Sequence, residues 1–279
     1  MERRFGRRGP EVPVVGQGTW HMENERADAV AALQHGLDRG LRHIDTAEMY
    51  GDGAVERLVG EAIAGRREEV FLVSKVLPYN ASRQGTVRAC EGSLERLGTD
   101  YLDCYLLHWP GSHPLGETIE AFEALVDSGK IRSYGVSNFD EHELAEAVAL
   151  AGEGRIACNQ LLYHLQERAI EHAALSRCRD LGVAMVAYSP FGSGEFPGAS
   201  DSGGRVLAEI AANHGVSARQ VALSFLLREP DVLVIPKASR IEHVDDNAEA
   251  CTFSISNEEA AQLEAVFPMG PHRGGVPVL

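Results

Sequence analysis

The segment ETIEAFEALVDSGKIRSYGVSN, residues 117–138, decides the fold. Its first half is amphipathic: Ile119, Phe122 and Val126 recur at helical spacing, so 117–128 reads as a helix with one apolar face. Gly129 stops it, because the residue after a helix often takes a left-handed conformation that glycine tolerates. Ile131 to Asn138 is then a short β-rich run that ends in polar residues.

The same phrase recurs along the chain. Helix 26–39 stops at Gly40 before Leu41 to Asp45, and helix 83–97, with Val87, Cys90, Leu94 and Leu97 on one face, stops at Gly98 before Leu102 to His108. Helix 170–181 stops at Gly182 before Val183 to Tyr188. Adding the runs 14–18, 70–76, 156–160 and 232–235 gives eight strands, most of them spaced by roughly 25 to 32 residues, the length of one βα unit. Eight such units predict an α/β fold of the (β/α)8, or TIM, barrel type.

We read residues 1–279 as one barrel domain. Residues 1–13 precede the first strand, with Phe5 to Pro13 as a short hairpin closing the barrel bottom, and 268–279 is a C-terminal loop. Gly192 to Gly204, rich in Gly, Ser and Pro, predicts an extended, mobile loop after strand seven that can serve as a lid. Ser217 with Gln220, and Ser256 with Glu259, have capping-box spacing and mark two late helix starts. An open doubly wound sheet is the competing architecture, but Gly16-Gln17-Gly18 lacks the third glycine its phosphate turn needs, and no Walker A pattern occurs.

Composition excludes several classes of function. With 26 basic and 41 acidic residues the net charge is −15, which repels nucleic-acid backbones and anionic lipid. The longest apolar stretches, such as Leu226 and its neighbours, fall far short of the ~18 residues a membrane span needs, and no apolar leader follows Met1. The expectation is a cytoplasmic protein acting on a small molecule, without nucleic-acid or membrane partners, as a monomer, with oligomers left open. Cys90, Cys104, Cys158, Cys178 and Cys251 are odd in number and widely spaced, and read as reduced, mostly buried thiols. His43 alternates with Asp45, yet no second His-rich cluster or H-E-x-x-H completes a metal site.

Active sites of such barrels lie where the strands end, so the polar residue closing each run is a candidate. These are Asp45 with Tyr50 beyond strand two, Lys75 after three, His108 after four, Ser137 and Asn138 after five, Asn159 and Gln160 after six, Tyr188 after seven and Lys237 after eight. A buried lysine needs a counter-charge, and Asp45 on the neighbouring strand supplies one for Lys75. A phenol with a pKa near 10 is a poor acid at neutral pH, but an ammonium about 4 Å away at an effective dielectric of ~20 contributes about 4 kcal/mol, which bounds the lowering at roughly three pK units. Tyr50 then serves as general acid, and a neutral His108 orients a carbonyl oxygen. Ser137, Asn138 and Gln160 form an amide-binding cluster, Tyr188 offers a face for a flat heterocycle, and Lys237 with Arg240 supplies charge for phosphate. The set fits carbonyl reduction by a dinucleotide hydride donor.

From about Phe5 to Phe267 the chain resembles the aldo-keto reductase family. The motifs are G-x-G-T-W at 16–20, H-I-D-T-A-x-x-Y at 43–50, S-K at 74–75, Y-L-D-x-Y-L-x-H-W-P at 101–110, G-V-S-N-F at 135–139, N-Q at 159–160, A-Y-S-P at 187–190 and I-P-K-A at 235–238. The resemblance implies reduction of aldehydes or ketones with NADPH, NADH being left open, and a catalytic tetrad of Asp45, Tyr50, Lys75 and His108. It also implies cofactor contacts from Gly18, Thr19, Ser137, Asn138, Gln160, Tyr188, Ser189, Phe191, Ser193, Lys237, Ala238, Ser239, Arg240, Asp246 and Asn247. In that set Ser189 to Ser193 lie along the diphosphate, Lys237 reaches the 2′-phosphate, and Asp246 and Asn247 approach the adenine.

Trp20 and Trp109 are expected to wall the substrate site, with Tyr79, Phe191 and His272 as weaker candidates for its rim, and Glu48 reads as a solvated loop carboxylate. His243 departs from the family, standing where many members carry a basic residue six positions after the strand-eight lysine. Arg240, three after it, is expected to take over the 2′-phosphate. Leu162 replaces an acidic residue common in the family, with no expected catalytic effect, and the short tail after Phe267 predicts an open pocket. A second reading, a nucleotide-binding regulatory subunit resembling potassium-channel β-subunits, needs a membrane partner that no residue indicates.

Overall fold

In the computed structural model, which describes residues 1–272 and 274–279, the eight apolar runs lie side by side as one parallel sheet in sequence order. The strands are β3 (Gln17–Gly18), β4 (His43–Asp45), β5 (Phe71–Val76), β6 (Leu102–Leu107), β7 (Ile131–Ser137), β8 (Ile156–Leu162), β9 (Ala184–Tyr188) and β10 (Val232–Ile235). The ring closes between the first and last: Gly16 N–H donates to the Val234 carbonyl, Val234 N–H to that of Val14, and Gly18 N–H to that of Pro236. An antiparallel hairpin of β1 (Glu2–Arg4) and β2 (Glu11–Pro13) precedes the barrel, and its Phe5 and Val12 join the interior cluster.

Helices α1 (Arg26–Asp38), α2 (Ala54–Ala62), α3 (Arg83–Leu97), α4 (Leu115–Asp127), α5 (Glu141–Ala151) and α6 (Ala174–Leu181) connect successive strands. Two helices, α7 (Ser202–His214) and α8 (Ala218–Leu227), stand between β9 and β10, followed by α9 (Ile241–Ala248) and α10 (Asn257–Val266). The capping boxes at Ser217 and Ser256 are formed, and a third, Asp140 with Glu143, starts α5.

Strand parity explains why this fold gathers a site. Side chains alternate between faces, so every second residue points into the barrel. Phe71 and Val73 of β5, Cys104 and Leu106 of β6, Ala184 and Val186 of β9, and Leu233 and Ile235 of β10 pack together in the interior, whereas Leu72, Tyr105, Met185 and Val234 belong to the layer under the helices. The next position of interior parity on each strand is Lys75, His108, Tyr188 and Lys237. Apolar layers thus fill the barrel, and polar residues form its upper mouth.

Several expectations are corrected. Helix 170–181 is broken into a 3-10 turn (Ala169–His172) and α6, with Ala173 between them at φ −149° and ψ −50°. The loop expected to reach Gly204 ends at Asp201, and Gly203 and Gly204 lie inside α7. Close packing calls for glycine there: a Cβ on Gly203 would stand 2.2 Å from the Phe267 ring, and one on Gly204 1.8 Å from the Gly198 carbonyl oxygen. All five cysteines are free thiols, four of them buried. Among the described residues no helix is long and apolar enough to cross a membrane.

Candidate active site

Lys75, fully buried near the end of β5, is the hub of the site. Its Nζ donates to Asp45 Oδ1 at 2.5 Å, to the Thr46 carbonyl at 2.8 Å and to Tyr50 Oη at 3.2 Å, which uses all three ammonium hydrogens. Gln160 Nε2 donates to the second Asp45 oxygen at 2.7 Å, so the carboxylate is satisfied as well. A buried ion pair is tolerable when geometry and hydrogen bonds are this complete. Tyr50 reaches Lys75 because it opens a 3-10 turn (Tyr50–Gly53) just past the end of β4.

Burial alone would push the Lys75 ammonium down, but Asp45 and then Tyr50 outweigh it and hold its pKa above the ordinary lysine value. Tyr50 is raised above the usual phenol, chiefly by burial, with Lys75 pulling it down and Asp45 pushing it up. The expectation that Lys75 brings Tyr50 below 10 is therefore corrected: burial of the hydroxyl exceeds the effect of the ammonium. Burial, assisted by Lys75, pushes His108 down to about 2, so its imidazole is neutral. Its Nδ1 is buried without a partner, which leaves Nε2 on the cavity side. His43, below Asp45, packs edge-on against Phe5 and Phe71 and is held down to about 4 by burial.

Glu48 is stapled in place rather than solvated. Its Oε1 accepts from the Leu77 N–H at 2.7 Å and from Asn80 Nδ2 at 3.0 Å, tying the loop after β4 to the loop after β5. Ser137 Oγ donates to the Gln160 carbonyl, Asn138 Nδ2 to the His108 carbonyl and to Ser137 Oγ, and Tyr188 Oη to Asn138 Oδ1. The expected amide-binding cluster is one network, locked onto the His108 backbone.

Two cavities meet at Trp20, Tyr50 and Tyr188, which line both. The first, about 380 Å³, runs from Tyr50 past Gly18, Thr19, Ser189, Phe191 and Ser193 to Lys237, Asp246 and Asn247. The second, about 650 Å³, holds His108, Trp109, Ser137, Asn138 and Gln160. His21, Asn138, Ser189 and Ser193 around these cavities have positive φ, between 49° and 62°, a cost that non-glycine residues carry mostly at functional sites.

Ala238, Ser239 and Arg240 stand outside the first cavity's lining; Ser239 Oγ accepts from Lys237 Nζ at 3.2 Å, and Arg240 bonds to His243, which lines it. Tyr79 is exposed outside both cavities and His272 packs against His172. The sequence reading missed Arg219, Phe196 and the lining role of His243 in the first cavity, and Met49, Val278 and Leu279 in the second. The tail, expected to leave the pocket open, instead brings Val278 and Leu279 to its wall. Arg168, whose Nη1 donates to the Phe267 carbonyl at 2.8 Å, and His172, whose Nε2 bonds to that of Gly270, hold its start.

Residues 14–267 match the model of the aldo/keto reductase family. The methylglyoxal reductase YeaE of Escherichia coli is 47% identical over 263 residues, covering 92% of each chain. The glyoxal reductase of Bacillus subtilis is 35% identical, covering 92% of this chain and 90% of its own length. A crystal structure of an aldo-keto reductase from Klebsiella pneumoniae in complex with NADPH superposes with a TM-score of 0.93 at 42% identity, over the whole of both chains.

Proposed function

The chain belongs to the aldo/keto reductase family, and on that basis we propose that it reduces neutral aldehydes and dicarbonyls with NADPH, with Tyr50 as the proton donor. One observation carries the assignment of the acid: Lys75 Nζ binds Asp45 and Tyr50 together, where the two cavities meet.

The first cavity suits a dinucleotide by the chemistry of its donors. Lys237, Arg219, Tyr188 and the left-handed backbone of Ser189 and Ser193 line it, and the Ser137, Asn138 and Gln160 amide network lines the second cavity, which shares Tyr188 with the first. Gly18 there has no room for a side chain, since a Cβ would stand 2.5 Å from the Ile235 carbonyl oxygen. When bound, NADPH supplies the hydride.

The protein's part is positioning and proton supply. His108 donates a hydrogen bond from Nε2 to the carbonyl oxygen, fixing and polarising it, and its neutrality keeps it from competing as an acid. Tyr50 gives its phenolic proton to the same oxygen as negative charge develops there. Lys75 stabilises the phenolate left behind, and Asp45, held by Gln160, keeps Lys75 charged and aimed.

The second cavity is lined by Trp20, Met49, Trp109, Pro110, Val278 and Leu279, and no side chain among its described lining residues carries a carboxylate, ammonium or guanidinium. A carboxylate substrate would be desolvated there without a counter-ion, at a cost of several kcal/mol. Small neutral carbonyls fit, in keeping with the methylglyoxal and glyoxal reductases among the relatives. The test is NADPH oxidation against a panel of aldehydes, α-dicarbonyls and α-keto acids. Turnover of the neutral compounds with little for the keto acids is expected; a preference for keto acids would overturn the substrate assignment, and no turnover of any carbonyl would overturn the function.

A further inference from the structure

The first cavity ends in a cluster of cations with one titratable member. Lys237, Arg219 and His243 line it, and Arg240 reaches His243 from outside. Arg240 Nη2 and His243 Nε2 are 2.8 Å apart. A guanidinium can only donate, so Nε2 is the acceptor and the imidazole carries its one proton on Nδ1. Arg219 has no carboxylate partner among the described residues; its guanidinium lies over Phe196, 5.0 Å from the ring centre, and 5.7 Å from that of Phe191. In a chain of net charge −15, this concentration of positive charge at one cavity end suits a phosphate monoester.

We propose that His243 makes the choice between NADPH and NADH proton-dependent: it is neutral while bonded to Arg240, and it takes up a proton from solvent when Arg240 turns to the 2′-phosphate. The inference rests on the cofactor reading above. Guanidinium groups prefer bidentate contact with phosphate, so Arg240 has a better partner than an imidazole once a dianion is present. Nε2 is then freed as an acceptor beside two negative charges, and protonation converts it to a second donor for the phosphate. NADH, with a hydroxyl at that position, offers no such exchange.

The surroundings agree in sign. Burial, then Arg240 and Arg219, hold the imidazole below its ordinary pKa, against the upward pull of Glu242 and Asp246. Asp246 accepts from Ser217 Oγ at 2.8 Å, and Glu242, paired with Arg240 at 3.4 Å before the cofactor binds, is released when Arg240 turns and adds to the upward pull on the imidazole. A dianion displaces Arg240 and offsets Arg219, removing both repulsions together. Lys237 lines the same cavity and remains a phosphate contact with or without the proton on His243.

The experiment is calorimetric binding of NADPH and of NADH, from about pH 6 to 8, in buffers of differing ionisation enthalpy, to the wild-type protein, His243→Gln and His243→Arg. The cofactor's own phosphate ionises near pH 6 in all three, so the difference between proteins isolates the imidazole. Wild type is expected to take up about half a proton or more per NADPH at neutral pH beyond what His243→Gln takes up, and none beyond it with NADH. Its NADPH-to-NADH affinity ratio should rise by about three- to tenfold from pH 8 to 6.5 relative to His243→Gln. His243→Arg, a permanent cation, should show a high ratio without the extra proton. Thermal melting curves that coincide with wild type in the absence of cofactor show that the variants are folded. Equal proton uptake and equal pH slopes in wild type and His243→Gln would overturn this inference alone; failure of wild type to bind NADPH would overturn the cofactor reading with it.

Discussion

Replacing Lys75 by Met removes the ammonium and keeps most of the side-chain volume. Nζ stands 3.2 Å from Tyr50 Oη, a separation at which a unit charge contributes about 5 kcal/mol at an effective dielectric of ~20. At ~1.4 kcal/mol per pK unit this bounds the lost support of the phenolate at roughly 3.5 units. Tyr50 is already raised by burial, so without the cation it becomes a still weaker acid. Asp45 keeps its hydrogen bond from Gln160 but loses its counter-ion. We expect kcat for an α-dicarbonyl to fall by about 10²- to 10⁴-fold at neutral pH, the range general acid catalysis supplies, with NADPH affinity nearly unchanged. Steady-state kinetics beside fluorescence titration of the cofactor make the comparison. A Lys75→Met protein that keeps kcat within a few-fold of wild type would refute the coupling of Lys75 to the proton donor.

The proposed mechanism requires Tyr50 protonated and His108 neutral, so with a raised Tyr50 pKa and His108 near 2, kcat should stay level from about pH 6 to 9 and fall only on the alkaline side, in a pH profile at saturating cofactor. Acid should destabilise the fold: His43 near 4 and His108 near 2 both bind protons less readily folded than unfolded, so each contributes a loss of about 1.4 kcal/mol per pH unit as pH falls below about 6.5. The His43 contribution ends near its folded value of about 4, and His43→Leu should remove it from denaturation curves measured over that range. Glu48→Ala leaves the Leu77 N–H and the Asn80 amide unpaired and should lower stability by about 1–3 kcal/mol in denaturant melts, which Glu48→Gln largely restores. Arg168→Met frees the Phe267 carbonyl and the start of the tail, and should raise KM for the carbonyl substrate more than it lowers kcat.

Most of the barrel was legible because helix stops and strand parity are local properties. Gly129 and Gly182 both take positive φ where the periodicity ends, and the alternation along Phe71, Val73 and Lys75 fixes which face of β5 carries the polar residue. Features set by distant neighbours were not legible. Gly203 and Gly204 look like loop residues until Phe267 and the Gly198 carbonyl are seen against them. The bond from Gln160 to Asp45 joins strands far apart in sequence, and nothing in a single strand shows that the glutamine faces the carboxylate. Arg219 follows a capping-box serine and resembles any first-turn surface residue, and its place in the cavity depends on how α8 packs beside the loop carrying Phe191 and Phe196. The tail's apolar end carried a faint signal in Val276, Val278 and Leu279, but its anchor, Arg168, lies on another segment.

The proton donor is the centre of the account, and single-turnover reduction of methylglyoxal by NADPH-saturated Tyr50→Phe tests it most directly. The phenyl ring preserves the cavity walls and removes only the hydroxyl that Lys75 holds. The predicted result is a loss of at least about 10²-fold in the rate of NADPH oxidation with cofactor binding intact. Oxidation at close to the wild-type rate would contradict it and move the proton source away from Tyr50.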